Sequence, residues 1–491
     1  MKTVRIPQII TTRMREEGQL LLPYIIYGLL VVFTVSGCAS PVSMAPEAPP
    51  VQLPAAYTSS GELQLEQQWW QALDDQNLQI LIDTALRQNQ NLQVYIERLL
   101  QAQALARKAG ADLSPSLDVE GAGRKSRSRT DSSTTTSTSL LLGLAASYEI
   151  DLWGRLQSRK EAAALDADVA AEDLQAASLS LASQIAHVWY RLAASYSQQE
   201  LLEQQQEVNR VGLELVRLRF NAGQISIADL LQQKQLIESK NGELAQERAA
   251  GRVLENQLAI LTGVSPGMLE LPGRPHLVVL PPLPATGVPA DLLTSRPDIR
   301  SRYLALLAAD KRVAAAVADR YPRLSLGAEL NTSAASVRDL FDNWLASLAA
   351  NIAAPLIDGG AREAEVERSQ ASAREKLHAY GDSLLTAVGE VEDALLQEQE
   401  QRLYIDSLKI QLDLATATVE RLRDRYKQGT ADYQRILTAL LSQQALQRSL
   451  VSGRQQLIGY RIDLYRSLGT KVPVENIEYS RNTLPSPTRI N

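Results

Sequence analysis

Two stretches of this chain contain no proline, Arg155 to Ser265 and Leu356 to Val472. Nothing else in the sequence constrains the fold as much. Proline inside a helix removes a hydrogen bond and clashes with the preceding turn, so its absence over such lengths permits helices far longer than a globular domain uses. Composition agrees: 45% of the 491 residues are hydrophobic but only 5% aromatic, with three Phe, a balance that favours long helices over a compact mixed core. In the second stretch Ile405, Leu408, Leu412, Ala415, Val419, Leu422 and Tyr426 recur at alternating steps of three and four, which is a coiled-coil seam. Read as one helix, the segment from Arg155 to Arg219 extends roughly 95 Å. A helix of that length must pack against something equally long. Asn221-Ala222-Gly223 and Lys427-Gln428-Gly429 place glycine where a helix end needs left-handed backbone. Each long helix therefore turns at Gly223 or Gly429 and returns as a helical hairpin.

Sliding the chain against itself gives one recurring register. At an offset of 207, Pro115 meets Pro322, Asp112 meets Asp319, Asp151 meets Asp358 and Arg155 meets Arg362. Further on the offset is 206: Arg219 meets Arg425, Phe220 meets Tyr426, Gly223 meets Gly429 and Gly263 meets Gly469. Matched Pro, Asp, Arg and Gly columns in constant order indicate a tandem internal repeat. Each copy reads helix, strand, strand, long helix, turn, helix, and one residue is lost between copies inside a helix.

The N-terminus reads as an address. Lys2, Arg5, Arg13 and Arg15 precede an apolar run from Ile25 to Val35, the order of a secretory signal and too short for a spanning helix. The run ends in Val35-Ser36-Gly37-Cys38, which resembles the lipobox of bacterial lipoproteins, where cleavage before the cysteine leaves it acylated. Ala39, where an inner-membrane retention signal would place Asp, implies sorting to the outer membrane. Either Met1 or Met14 is the start. The Pro- and Ala-rich segment Pro41 to Pro54 reads as a tether.

Four segments alternate as strands do, at about 116–127, 139–151, 323–331 and 343–353. Leu140, Leu142, Leu144, Ala146, Tyr148 and Ile150 fall on one face, and Ser147, Glu149 and Asp151 on the other. Near ten residues long and oily on one side, they fit transmembrane β-strands. Ser126 to Ser139, nearly all Ser, Thr, Arg and Asp, reads as an outward-facing loop, with Thr332 to Asn343 in the matching place. Four strands do not close a barrel, and open edges are not tolerated in lipid, so the barrel must be shared between chains.

Catalysis has little support. His187, His276 and His378 share no metal-ligand spacing, and no G-x-S-x-G, H-E-x-x-H or phosphate-binding loop is present. Cys38 is the single cysteine, which rules out an intrachain disulfide and a cysteine-based metal cluster. With 50 Lys plus Arg against 56 Asp plus Glu and no basic block interleaved with aromatics, nucleic acid is not a partner. No cofactor is implied, and the chain reads as no enzyme.

Trp69-Trp70 with Asp74, Leu78, Leu81, Ala85-Leu86 and Asn89, then Arg296-Pro297-Asp298-Ile299-Arg300 and Tyr321-Pro322-Arg323-Leu324-Ser325-Leu326, resemble the TolC-like outer membrane factors, nearest their NodT-type lipoprotein branch. The resemblance runs from Cys38 to about Gly469. It implies a mostly α fold with a membrane β-barrel portion. In a homotrimer, four transmembrane strands per chain would build the barrel, and the helical hairpins a periplasmic tunnel. The chain then divides into a signal peptide (1–37), a lipidated tether and equatorial segment (38–75), repeat 1 (76–265), a linker (266–294), repeat 2 (295–469) and a tail (470–491). The implied function is a passive exit duct of tripartite efflux for small toxic compounds, lipid-anchored at Cys38 in the outer membrane. Its implied partners are a periplasmic adaptor and an inner-membrane pump, of the RND type in that family's pattern. A protein-secretion exit duct and, outside the class, a lipid-anchored coiled-coil scaffold are the alternatives. The resemblance also assigns a gate at the hairpin tips. Asp229 matches an acidic latch position and Tyr426 the tyrosine that bonds to it. The basic latch position falls on Ala431, and two acidic constriction positions fall on Arg435 and Thr438, so the gate is altered here. Either Arg435 takes over pairing with Asp229, with Asp432 supplying the remaining acidic character, or Arg435 is a solvated helix-surface charge.

Overall fold

A computed structural model describes residues 49–63, 68–470 and Val472. The signal peptide 1–37, Cys38, part of the tether and nearly all of the tail lie outside the described residues. After a 3₁₀ turn at Trp69–Leu73 the elements run α1 (Gln76–Gln88), α2 (Gln90–Ala111), β1 (Ser116–Arg129), β2 (Thr134–Ile150), α3 (Arg155–Asn221) and α4 (Ile227–Thr262). Beyond the linker come α5 (Pro297–Ala318), β3 (Arg323–Ala334), β4 (Trp344–Ala353), α6 (Ala361–Lys427) and α7 (Tyr433–Leu468). Among the described residues no helix is long and apolar enough to cross a membrane.

Helices α3 and α6 each have 67 residues, about 100 Å at the ordinary rise. Helices α4 and α7 each have 36, and α2 and α5 each have 22. Because the long helices are equal, the change of offset from 207 to 206 does not fall inside a helix. It falls in the strand-to-helix junction, where left-handed Gly154 and Gly360 precede the first turns. Asp151 is three residues from its glycine and Asp358 two. Helix α3 packs along α4, α5, α2 and α7, and α6 packs along α7 and α5. Within α6 the seam positions Ile405, Leu408, Val419 and Tyr426 are buried and Leu412, Ala415 and Leu422 half-buried, so the heptad phase read from the sequence is the phase that packs.

Both long helices carry an arginine at their start, Arg155 first in α3 and Arg362 second in α6, against the helix dipole, and the junction explains this. Arg155 donates to both oxygens of Glu149 at 2.7 and 2.8 Å and lies 3.8 Å from Asp319. Arg362 pairs with Asp358 at 3.0 Å and with Asp319 at 3.4 Å. Asp319, just past the end of α5, thus gathers the starts of both long helices. Asp151 caps α3 instead, accepting from the Gln157 N–H at 2.7 Å.

The strands form one antiparallel sheet in the order β1-β2-β3-β4. Its registers place Val119 opposite Leu144, Leu144 opposite Leu330 and Leu330 opposite Ala346. Side chains alternate along a strand, so one face collects Leu117, Val119, Leu142, Leu326, Leu348 and Ile352, and the other collects Asp118, Glu120, Glu149, Glu329, Ser347 and Asn351. The β1–β2 hairpin is longer than the sequence reading. Ser126 to Ser139 is not a loop: pairing continues to Arg129–Thr134, and a tight turn closes through Thr130 and Ser133, whose N–H and C=O groups bond reciprocally at 2.9 and 3.3 Å. β3 likewise continues to Ala334 before a 3₁₀ turn at Val337–Asp339. Serine, threonine and arginine alternate as readily as leucine when both faces are polar, and that is why composition alone reads as loop.

The core sits where the linker and the N-terminal segment wrap the helices. Trp69, Trp70, Trp189, Tyr190, Ile462 and Tyr465 are fully buried, and Asp75 caps α1 while accepting from the Trp189 indole at 2.7 Å. Arg461 is also fully buried. It clamps Glu398 at 2.6 and 2.8 Å and donates to the Pro281 and Pro282 carbonyls at 2.9 and 3.0 Å, pinning the linker to α6 and α7. Removing one partner of such a pair strands the other charge in the interior. Arg461→Leu should therefore destabilise the fold by about 3–5 kcal/mol, read as a lowered denaturant midpoint. An unchanged midpoint would deny the clamp a structural role.

Candidate functional site at the hairpin tips

At the end remote from the sheet, the two hairpin turns lie side by side. Gly223 and Gly429 have φ of 69° and 73°. The Gly223 and Gln224 N–H groups bond back to Phe220 and Arg219, and those of Gly429 and Thr430 to Tyr426 and Arg425. Both tips thus end in the same left-handed cap. The returning helices then start with side-chain caps. Ser226 and Asp229 form a capping box, the Asp229 carboxylate accepting from the Ser226 N–H and hydroxyl at 2.9 Å each. Asp432 caps α7 by accepting from the Arg435 N–H at 3.0 Å.

Between the tips is a cavity of about 910 Å³ lined by Arg219, Asp229, Tyr426, Gly429, Asp432 and Tyr433 among others. Of the expected gate residues it therefore gathers Asp229, Tyr426 and Asp432, together with the Gly429 turn. It does not join them as expected. The Tyr426 hydroxyl is buried without a hydrogen-bond partner, because Asp229 is turned to its own helix start. Arg435 is exposed and, among the described residues, joins no ion pair within this chain.

The tie between the hairpins is instead Arg219. Its guanidinium donates to the Tyr426 carbonyl at 2.8 Å and lies 3.9 Å from the Tyr426 ring centre, a cation–π contact. The Tyr426 and Tyr433 rings are 6.2 Å apart, and the Tyr433 hydroxyl donates to Gln233. Gln233 in turn donates to the Asn209 carbonyl at 2.6 Å. A polar seam thus runs from the tip into the interface between the two hairpins. Burial pushes the Tyr426 phenol up, the Arg219 cation pulls it back in part, and Asp229 adds to the rise. Burial raises Tyr433 as well, with Tyr426 and Asp229 adding to it. Both phenols stay neutral at any ordinary pH, so they contribute packing and leave the charge of the tip to its Arg, Lys and Asp side chains. Sequence reading missed Arg219, Tyr433 and Gln233. Arg219 was visible only as the repeat mate of Arg425, and nothing in one sequence says that a helix-end arginine reaches across to another hairpin.

A family profile described as outer membrane efflux protein matches residues 81–264 and 288–470. The chain belongs to the outer membrane efflux protein family. Among the relatives of this efflux protein, the pyoverdine export outer membrane protein OpmQ of Pseudomonas aeruginosa is 30% identical over 418 residues, 82% of this chain and 87% of that one. Among solved structures, the outer membrane protein VceC of Vibrio cholerae aligns with a TM-score of 0.76 at 27% identity, covering 83% of this chain and 99% of that one. The open state of the Neisseria gonorrhoeae MtrE outer membrane channel aligns with a TM-score of 0.79 at 25% identity, covering 87% and 98%. These matches make the efflux protein a TolC-like outer membrane factor, a mostly helical channel of the outer membrane that extends into the periplasm.

The caps give a local test. Asp432→Ala removes the acceptor at the start of α7 and should cost about 1 kcal/mol. Hydrogen exchange at the Arg435 amide should accelerate about fivefold while the buried seam amides near Ile405 keep their protection. Unchanged exchange at Arg435 would show that the cap contributes nothing.

Proposed function

We propose that three copies of this efflux protein assemble into a twelve-stranded outer-membrane barrel continuous with a twelve-helix periplasmic tunnel. The observation that carries this reading is the sheet: among the described residues β1 and β4 are both unpaired along their outer edges, and in the half nearer the helices one face of all four strands is apolar. Backbone groups on open edges have no partner in lipid, so edge must meet edge between copies. The equal elements of the two halves support the tandem repeat, which lets each chain supply two quasi-equivalent hairpins to the wall. Cys38 anchors the assembly by its acyl groups. A periplasmic adaptor engages the tips, and an inner-membrane pump of the RND class supplies the energy. The cargo is small toxic or secreted compounds, in the manner of a relative named for pyoverdine export.

The tip cavity is the gate of this duct. Gly223 and Gly429 fix the turns, Asp229 and Asp432 hold the returning helices, and Arg219 ties the first hairpin to Tyr426 on the second. Pairing of Arg435 with Asp229, absent within the chain, is left to the contact between copies. Opening separates the hairpins and gives up the Arg219 tie, a change between two packings.

Two measurements test this reading. Leu348→Arg, on the apolar face, should destabilise the barrel by about 2–4 kcal/mol and abolish recovery of trimer from outer membranes. Ser347→Arg, its neighbour on the polar face, should be recovered normally; equal recovery of both would sink the membrane assignment. A charge-assisted hydrogen bond contributes about 1.5–3 kcal/mol, so Arg219→Ala should raise the open fraction by about tenfold or more in planar bilayers. Conductance indistinguishable from the unaltered protein would remove Arg219 from the gate.

A further inference from the structure

We infer that the outer surface of the β1–β2 hairpin binds a phosphorylated glycolipid of the outer leaflet. The register carries the argument. Residues of odd number in β1 share the apolar face: Leu117 and Val119 come first, then Gly121 and Gly123, then Lys125, Arg127 and Arg129. The hydroxyl contact between Ser126 and Ser137 at 2.7 Å marks the opposite face, and so fixes the orientation of the alternation. Each cation has a threonine directly across the strand pair: Lys125 faces Thr138, Arg127 faces Thr136 and Arg129 faces Thr134. The three cations are exposed and, among the described residues, join no ion pair. Successive members of the row stand about 6.7 Å apart at the ordinary strand rise, so the row spans roughly 13 Å.

This row stands directly above the apolar belt, on the belt's own face, at the end of the sheet away from the helices. It rests on the barrel reading, in which that face meets lipid and that end meets the exterior. Guanidinium and ammonium groups with hydroxyls beside them fit phosphate oxygens. Beneath them Gly121 and Gly123 leave the belt shallow: a Cβ on Gly121 would touch nothing within 4 Å, and one on Gly123 would meet only the end of the Leu140 side chain at 3.5 Å. A headgroup phosphate on the cations would therefore seat its acyl chains over the glycine notch. A soluble anion would use the cations and leave the notch unused. A protein partner would find no apolar contact at the level of the row.

The test uses the whole protein in neutral detergent, with diphosphorylated lipid A as probe and native mass spectrometry to read both oligomer and retained lipid. Replacing Lys125, Arg127 and Arg129 by Gln together should cut lipid A retention about tenfold or more, and each single replacement roughly threefold to fivefold. Arg124→Gln, on the polar face, should change nothing. Dephosphorylated lipid A should be held weakly by all forms, and inorganic phosphate at matched phosphorus should not displace lipid A. Equal retention by the triple variant, equal binding of dephosphorylated lipid, or displacement by inorganic phosphate would each overturn the assignment. Should the triple variant fail to assemble, the single variants decide. An unaltered protein that flies as a monomer would refute the barrel and the lipid site together. A trimer with retention unchanged in the variants would refute the lipid site alone.

Discussion

The proposed assembly depends on a sheet of four strands that, among the described residues, leaves two edges open. A peptide N–H or C=O without a partner costs little in water and several kcal/mol in hydrocarbon. In the proposed barrel the apolar face of the sheet meets lipid, where open edges have to be closed, and one chain does not close them. On that proposal assembly is a condition of insertion, and the wall of the duct is completed only between copies. The helices inherit this arrangement. They start from the sheet at junctions organised by Asp319, which gathers Arg155 and Arg362, so the strand geometry sets where both long helices begin and in which direction they run.

Length is the second consequence. A helix of 67 residues is stable in water only when packed along most of its course, and α3 is covered by α4, α2, α5 and α7 and α6 by α7 and α5. The buried charges midway along α6, Arg461 with Glu398 and Arg296 with Asp298 and Glu390, add little net stability over an apolar core. Their geometry suggests what they do: Arg461 donates to two linker carbonyls and Arg296 to the Ser467 carbonyl at 3.3 Å. They fix the register of the wrapping segments against helices whose own surfaces repeat too regularly to specify one.

That regularity also decides what the sequence reveals. The Ile405-to-Tyr426 seam and the Gly223 and Gly429 turns are legible because each is a local pattern with one physical solution. Apolar spacing of 3.5 residues demands a partner helix, and a helix end demands left-handed backbone. The β1–β2 extension is illegible because Arg, Ser and Thr at Arg124 to Ser139 carry no apolar alternation, and only the register with β2 discloses the pairing. The tip contacts are illegible for another reason. Matching Asp229 and Tyr426 to a latch assumes that a carboxylate faces its phenol, but Ser226 stands three residues before Asp229 and offers the nearer partner. A local cap competes with a long-range bond, and here the cap wins.

The tip that results differs in kind from one held by carboxylate pairs. Ala431 and Thr438 place no charge where the resemblance implies basic and acidic groups, and the tie that is present runs from Arg219 to a backbone carbonyl and an aromatic ring. Neither acceptor titrates at ordinary pH, and both lie against a buried tyrosine where salt screens weakly. Holding the hairpins together therefore requires no ionised acid at the contact itself. The carboxylates of Asp229 and Asp432 act one step away, keeping the returning helices wound so that Tyr433 stays packed beside Tyr426, whose ring lies beneath the guanidinium. In the proposed gate, closure is in this way a packing state supported by caps, and release comes from a force that draws the two hairpins apart.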